Sequence, residues 1–197
     1  MLFFIFKFIH DTIFGWDLVG ELPKVDKAVV FSYPHTSYWD GFFILLYSFV
    51  CNGYLILKDE GFIGFIAKLF NHITVNRFKS VSQTDQIAKF IKKKDKIWVF
   101  MSPEGTTHYK DYIKTGFYYI ALKSRVPIVC ANYNYRNNTY QYSKSIYVID
   151  KYENKIVPIE EVLELIKEFY HINQLKETGK LIENEAPILI NLFNKLN

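Results

Sequence analysis

Three short segments carry side chains with chemistry to offer. In PHTSYWDG, residues 34–41, His35 and Asp40 stand five positions apart. A carboxylate bound to one imidazole nitrogen fixes the tautomer and leaves the other nitrogen to take a proton from a substrate hydroxyl, an acid–base pair that needs no protein nucleophile. In SPEGTTHYKDYIKTG, residues 102–116, Pro103 and Gly105 constrain and open the backbone. Amides near Gly105 and Thr106 would then hold an anion, either a phosphate or the oxyanion of a tetrahedral intermediate. Glu104 would bind an acceptor hydroxyl or, equally well, tie the loop down. Arg77 closes HITVNR, residues 72–77, and a guanidinium recognises phosphate through a fork of paired donors. A solvated arginine and a tight turn with no substrate role are the ordinary alternatives.

These segments need a scaffold, and the hydrophobic pattern predicts one. Apolar runs at 28–33, 54–57, 73–75, 97–101 and 127–133 read as strands. Between them lie a buried helix of about ten residues starting near Gly41, and helices at 62–70, 82–94 and 115–124. Strands alternating with helices of this length predict an α/β fold with a mostly parallel central sheet flanked by helices. His35, Arg77 and the 102–106 turn each follow a strand, and sites of open α/β sheets gather at the carboxyl ends of strands. Beyond Tyr133 the segment NYRNNTYQYSKS reads as a polar loop. A strand at 145–149, a helix at 159–172 and a weaker helix after Glu185 complete the prediction.

At 197 residues the chain has the size of one domain. Residues 1–20 read as an amphipathic helix with its lead-in, and 21–197 as the single globular unit. The start, MLFFIFKFIHDTIFGW, lacks the basic region and small-residue cleavage site of a secretion signal, and its apolar run is too short to span a bilayer. Lys7, His10 and Asp11 predict one narrow polar stripe opposite a broad Phe/Ile/Leu face, the pattern of a helix lying in a membrane interface or packed on the protein's own core. The net charge of +4 is mild, and no basic tract suits nucleic acid. The densest basic run, Lys89 to Lys96, reads as a solvated helix face or as an attraction to anionic headgroups or donor phosphates. Cys51 and Cys130 lack the spacing of a zinc site or a disulfide framework and read as buried thiols of a reducing compartment.

The order HTSYWD, ITVNR, SPEGT and VPIV (126–129) resembles the four blocks of the glycerol-phosphate and lysophosphatidic acid acyltransferases. The resemblance is strongest to short, single-domain members, whose FGWxxxGxLP, PHTSxWD and KxGFYxIA reappear at 14–23, 34–40 and 114–121. It implies that His35 is the general base and Asp40 its orienting carboxylate. It further implies that Arg77 binds an acceptor phosphate, that Glu104 and Gly105 shape the acceptor pocket with Thr106 and Lys114 beside them, and that the block around Pro127 serves the acyl site or the fold beneath it. The implied donor is acyl-coenzyme A or acyl carrier protein, with no metal and no bound cofactor. The implied location is peripheral or monotopic, on the cytoplasmic side of a membrane.

The sequence departs from the family pattern twice. Thr107 stands where the third block usually has Arg, and Asn76 where the second usually has Asp. Losing a paired guanidinium removes a phosphate contact of about 2 kcal/mol, which His108, Lys110 or Lys114 would have to supply. Two other classes compete with an acyltransferase. One is a catalytically silent lipid-binding protein of the same fold. The other is a metal-dependent hydrolase using His35, Asp40, His72 and His108, for which no HExxH-like spacing exists.

Overall fold

The computed structural model describes residues 2–33, 38–51, 53–59, 61–70, 72–75, 82–104, 113–135 and 137–178. The helix expected after Glu185 lies outside them. In chain order the elements are α1 (Leu2–Lys7), a π-helical segment Phe8–Ile13, β1 (Asp17–Val19), β2 (Lys27–Ser32), α2 (Tyr38–Cys51), β3 (Gly53–Lys58) and α3 (Gly61–Leu69). There follow β4 (Ile73–Val75), α4 (Gln83–Lys92), β5 (Ile97–Met101), α5 (Gly116–Ser124), β6 (Ile128–Asn134), β7 (Thr139–Tyr142) and α6 (Ile159–Thr178).

The seven strands form one sheet in the order β1-β7-β6-β2-β5-β3-β4. Every pairing is parallel except β6 with β7, as the alternating pattern predicts. The central strands β2, β5 and β6 are buried on both faces and are apolar almost throughout, which is what a parallel sheet covered by helices requires.

Chain direction assigns the helices to faces. The connections β2 to β3 and β3 to β4 run one way along the sheet, and β4 to β5 and β5 to β6 run back. With right-handed crossovers, α2 and α3 cover one face and α4 and α5 the other. The core divides accordingly. Ile87, Ile91, Phe117, Ile120, Val162, Ile166 and Tyr170, from α4, α5 and α6, pack on Val29, Phe31, Val99 and Cys130. On the opposite face Trp16, Phe43, Ile44 and Tyr47 pack on Ala28, Val30, Phe100, Val129 and Tyr140.

The turn between α2 and β3 is tight enough to demand glycine: a Cβ on Gly53 would sit 2.6 Å from the Phe100 ring and 3.0 Å from the Ser48 backbone. At the end of α5, Arg125 takes the left-handed conformation, φ 58°, and its guanidinium donates to Asn154 Oδ1 at 3.3 Å.

Three local expectations change. The Asn-rich stretch is a hairpin, not a loop: β6 runs to Asn134, Asn138 turns the chain at φ 52°, and β7 pairs back with Tyr133 opposite Tyr140. Tyr140 and Tyr142 are buried while Thr139 and Gln141 are not, so alternation on one face overrides the polar composition. β1 adds a short parallel edge to β7. The strand expected at 145–149 is reduced to single bridges at Ile146 and Ile149. The lysine-rich end of α4, at the amino ends of the strands, keeps Lys92, Lys93 and Lys96 exposed, as a solvated face requires, while Lys94 covers the Tyr54 and Phe90 rings.

Candidate active site

Phe31 of β2 pairs with Met101 of β5, so the chain leaves these adjacent strands at the same level. The helices that follow, α2 and α5, go to opposite faces. Two neighbouring strands whose connections diverge leave a crevice at their carboxyl ends, the place where open α/β sheets bind ligands. In sequence, His35 follows the end of β2 by three residues and Glu104 follows the end of β5 by three. Residues 34–37 and 105–112 lie outside the described residues, which takes in His35, Gly105 and Thr106. The backbone of Asp40 belongs to the first turn of α2.

Glu104 is buried and accepts a hydrogen bond from Ser102 Oγ at 3.2 Å. The backbone N–H of Lys114 donates to the Pro103 carbonyl at 3.0 Å, closing the base of the intervening loop, and Lys114 itself is exposed. Arg77 lies outside the described residues. The strand before it, β4, stands two strands from β5, about 10 Å at ordinary strand spacing. The structure thus makes neighbours of the strands that lead into the His35 and Glu104 segments, and sets β4, the strand that leads to Arg77, at the sheet edge. Pro127 precedes β6, at the opposite end from the crevice, where its carbonyl accepts from the Val29 N–H at 3.0 Å. Val126 and Ile128 on either side of it are buried there.

The crevice floor is braced from α6 by a residue the sequence reading missed. Tyr170 is fully buried, and its hydroxyl lies 3.0 Å from the Phe31 carbonyl and 2.9 Å from that of Ala131. It therefore staples β2 to β6 just before β2 ends. Burial pushes its pKa well above the usual phenol value, so it remains a donor throughout the working pH range. The available signal was Val162, Ile166 and Tyr170 at helical spacing, an apolar stripe ending in a hydroxyl.

The N-terminal segment differs from its predicted orientation. His10, in the middle of its polar stripe, points inward with no exposed surface, while Lys7 stays exposed. His10 Nδ1 bonds Asp11 Oδ1 at 2.7 Å, and the same carboxylate pairs with Lys7 and accepts from Tyr140 Oη at 3.4 Å. The helical pattern assumed a regular 3.6-residue turn, whereas Phe14 N–H bonds Ile9 O in the wider π register. Phe4, Phe8 and Ile13 are left 73%, 57% and 63% exposed.

His72 is likewise buried. It accepts from the Leu55 N–H through Nδ1 at 3.4 Å, its ring lies among Phe49, Tyr54 and Phe70, and burial lowers its pKa. It is a buried histidine in the connection between α3 and β4. Cys51 and Cys130 are free thiols. Among the described residues, a pocket of about 320 Å³ lined by Lys7, Leu18, Val25, Tyr47, Trp98 and Tyr140 opens at the amino ends of the strands, away from the crevice.

The family model described as Acyltransferase matches residues 19–134, a stretch that begins in β1, ends with β6 and contains both loops of the crevice. The chain belongs to the acyltransferase family. The structure of the 1-acyl-sn-glycerophosphate (LPA) acyltransferase PlsC from Thermotoga maritima matches with a TM-score of 0.61 and 17% identity, covering 89% of this chain and 78% of that one. That likeness shows a shared fold. No curated protein sequence matches the chain. The N-terminal segment and α6, which brace the site from its two faces, fall outside the stretch that the acyltransferase model matches.

Proposed function

We propose that this acyltransferase moves a fatty acyl group from acyl-coenzyme A or acyl carrier protein to a hydroxyl of a lysophospholipid or glycerol-phosphate acceptor. The observation that carries the reading is the crevice between β2 and β5: the strand end that leads into the HxxxxD segment lies beside the one that leads to buried Glu104, within the family-matched stretch. His35 takes the acceptor proton as the oxygen attacks the thioester carbonyl, and Asp40 steadies the resulting imidazolium. Amides near Gly105 and Thr106 stabilise the tetrahedral oxyanion. The intermediate collapses by breaking the carbon–sulfur bond, and the imidazolium returns its proton to the departing thiolate. Arg77 and Lys114 serve the acceptor phosphate, with Glu104 shaping its pocket.

The reaction is placed on the cytoplasmic surface of a membrane, with peripheral or monotopic attachment. No helix among the described residues is long and apolar enough to cross a bilayer. Support for surface attachment comes from an asymmetry between faces. Phe4, Phe8, Ile13, Phe42, Phe65 and Leu69 are exposed on the side of α1, α2 and α3, whereas α4, α5 and α6 expose Tyr119 and Leu165. Such a surface suits lipid.

The test is release of coenzyme A thiol from several acyl donors with a panel of lysolipid and glycerol-phosphate acceptors, repeated with EDTA and with His35→Ala. Acceptor-dependent release that survives EDTA and vanishes in the folded variant is expected. Full turnover by His35→Ala refutes the mechanism. No release with either donor type supports the silent lipid-binding alternative, and loss in EDTA supports the hydrolase class.

A further inference from the structure

We propose that His10 is a positioning residue that locks the apolar N-terminal segment onto α2, the helix whose first turn carries Asp40. The inference rests on the catalytic reading of Asp40 given above, and its structural half can be tested without any turnover.

A single imidazole here joins four parts of the molecule. Its ring centroid lies 6.1 Å from Trp16, nearly parallel at 23°, and 6.1 Å from Phe43 and 5.5 Å from Tyr47 on α2. It lies 6.0 Å from Tyr133 on β6 and 4.9 Å from Tyr140 on β7, both edge-on. Phe43 and Tyr47 stand one and two turns beyond Asp40 along the same helix. Phe14 and Trp16 extend the contact, each packing on Phe43 at 5.3 and 5.0 Å. The start of α2 is therefore held from outside by residues 10–16.

Filling this space with a histidine is not the cheapest choice. Nδ1–H donates to Asp11, but Nε2 is buried with no hydrogen-bond partner among the described residues, and an unpaired buried polar atom costs about 1–3 kcal/mol. An apolar side chain of similar volume would fill the box without that cost. What the imidazole supplies is direction. Its bond to Asp11, which also holds Lys7 and Tyr140, admits one rotation of the segment, and that rotation turns Phe4, Phe8 and Ile13 outward. The segment that would meet lipid and the helix that carries Asp40 thus share one buried joint.

The joint needs an uncharged ring. The groups facing it are Asp11 and Lys7 from its own segment, Tyr47 from α2, Tyr133 from β6 and Tyr140 from β7. The phenols stay neutral, since burial raises the pKa of all three. Burial likewise lowers the His10 pKa below 6.5, outweighing Asp11. Because the unfolded chain binds this proton more readily, the contribution of His10 to stability is complete above pH 6.5. It declines as the pH falls from there toward the lower folded value.

The experiment compares full-length wild type with His10→Ala and His10→Gln in detergent micelles, the glutamine retaining an N–H for Asp11. Amide exchange along α2 is expected to speed up roughly tenfold in His10→Ala, in the range usual for coupled sites, and to return toward wild type in His10→Gln. With a water-soluble short-chain acceptor, kcat is expected to fall by a similar factor while KM stays constant. Ring 15N resonances of His10, assigned with the glutamine variant, are expected to stay neutral at pH 6.5. Unchanged α2 exchange in a folded His10→Ala protein, or a His10 ring that titrates at its ordinary value, overturns the proposal. Should His10→Ala fail to fold, the same comparison is made with His10→Gln, whose exchange must lie between wild type and complete loss of protection. If the wild type itself turns over no acyl donor, the proposed reaction fails and α2 exchange alone decides the coupling.

Discussion

Tyr170→Phe removes one oxygen atom from the floor of the candidate site. The hydroxyl serves two strand carbonyls, Phe31 at 3.0 Å and Ala131 at 2.9 Å, with no exposed surface to let water replace it. Its single hydrogen is shared, so the lost bond contributes about 1 kcal/mol net, as an ordinary intramolecular hydrogen bond does. Two buried carbonyls then face a phenyl edge, and their incomplete satisfaction adds about 1 kcal/mol more. The ring stays, so no cavity opens and its contacts with Tyr33 and Phe31 persist. A total near 2 kcal/mol corresponds to a Tm lower by roughly 4–8 °C for a chain of this size. Circular dichroism melts of both proteins in one detergent, at equal pH and concentration, measure it. An unchanged Tm would refute the staple, and a loss beyond about 4 kcal/mol would mean that Tyr170 does more than bond two carbonyls.

Two further outcomes are expected. Replacing Phe4, Phe8 and Ile13 together by Gln should weaken binding to anionic vesicles by on the order of 3 kcal/mol, about a hundredfold. Tm should barely change, because these side chains are already exposed; undiminished co-sedimentation would remove the segment from the membrane contact. Deleting residues 1–13 is a poorer probe, since it removes buried His10 as well. The thiols should resist labelling at pH 7.5 in the folded protein and react promptly in guanidinium. Burial pushes Cys130 up to about 12 and raises Cys51 too, leaving little thiolate to attack. Rapid native labelling of Cys130 would contradict its burial.

Much of the scaffold was legible because its signals are local. Apolar runs at β2, β5 and β6, helical spacing in α4 and α5, and the Asn-Gly break before β3 each report a preference a few neighbours can express. The candidate segments stand out for the same reason, as His35, Asp40, Glu104 and Arg77 stand in short stretches with fixed spacing. The hairpin at β7 was hidden because its asparagines favour turns, while the alternation of Tyr140 and Tyr142 acquires meaning only once a neighbouring sheet exists to bury one face.

What the sequence determined by itself was the alternation of strand and helix and the order of the segments carrying chemistry. Tertiary structure decided which strands became neighbours, and with them the crevice between β2 and β5. Crossover handedness and burial are properties of the assembled sheet rather than of any window along the chain. It also decided that His10 faces inward and Phe4 outward. Periodicity records how polar and apolar side chains are spaced on a helix, but which side faces the protein depends on what waits there, and here an aromatic box takes His10.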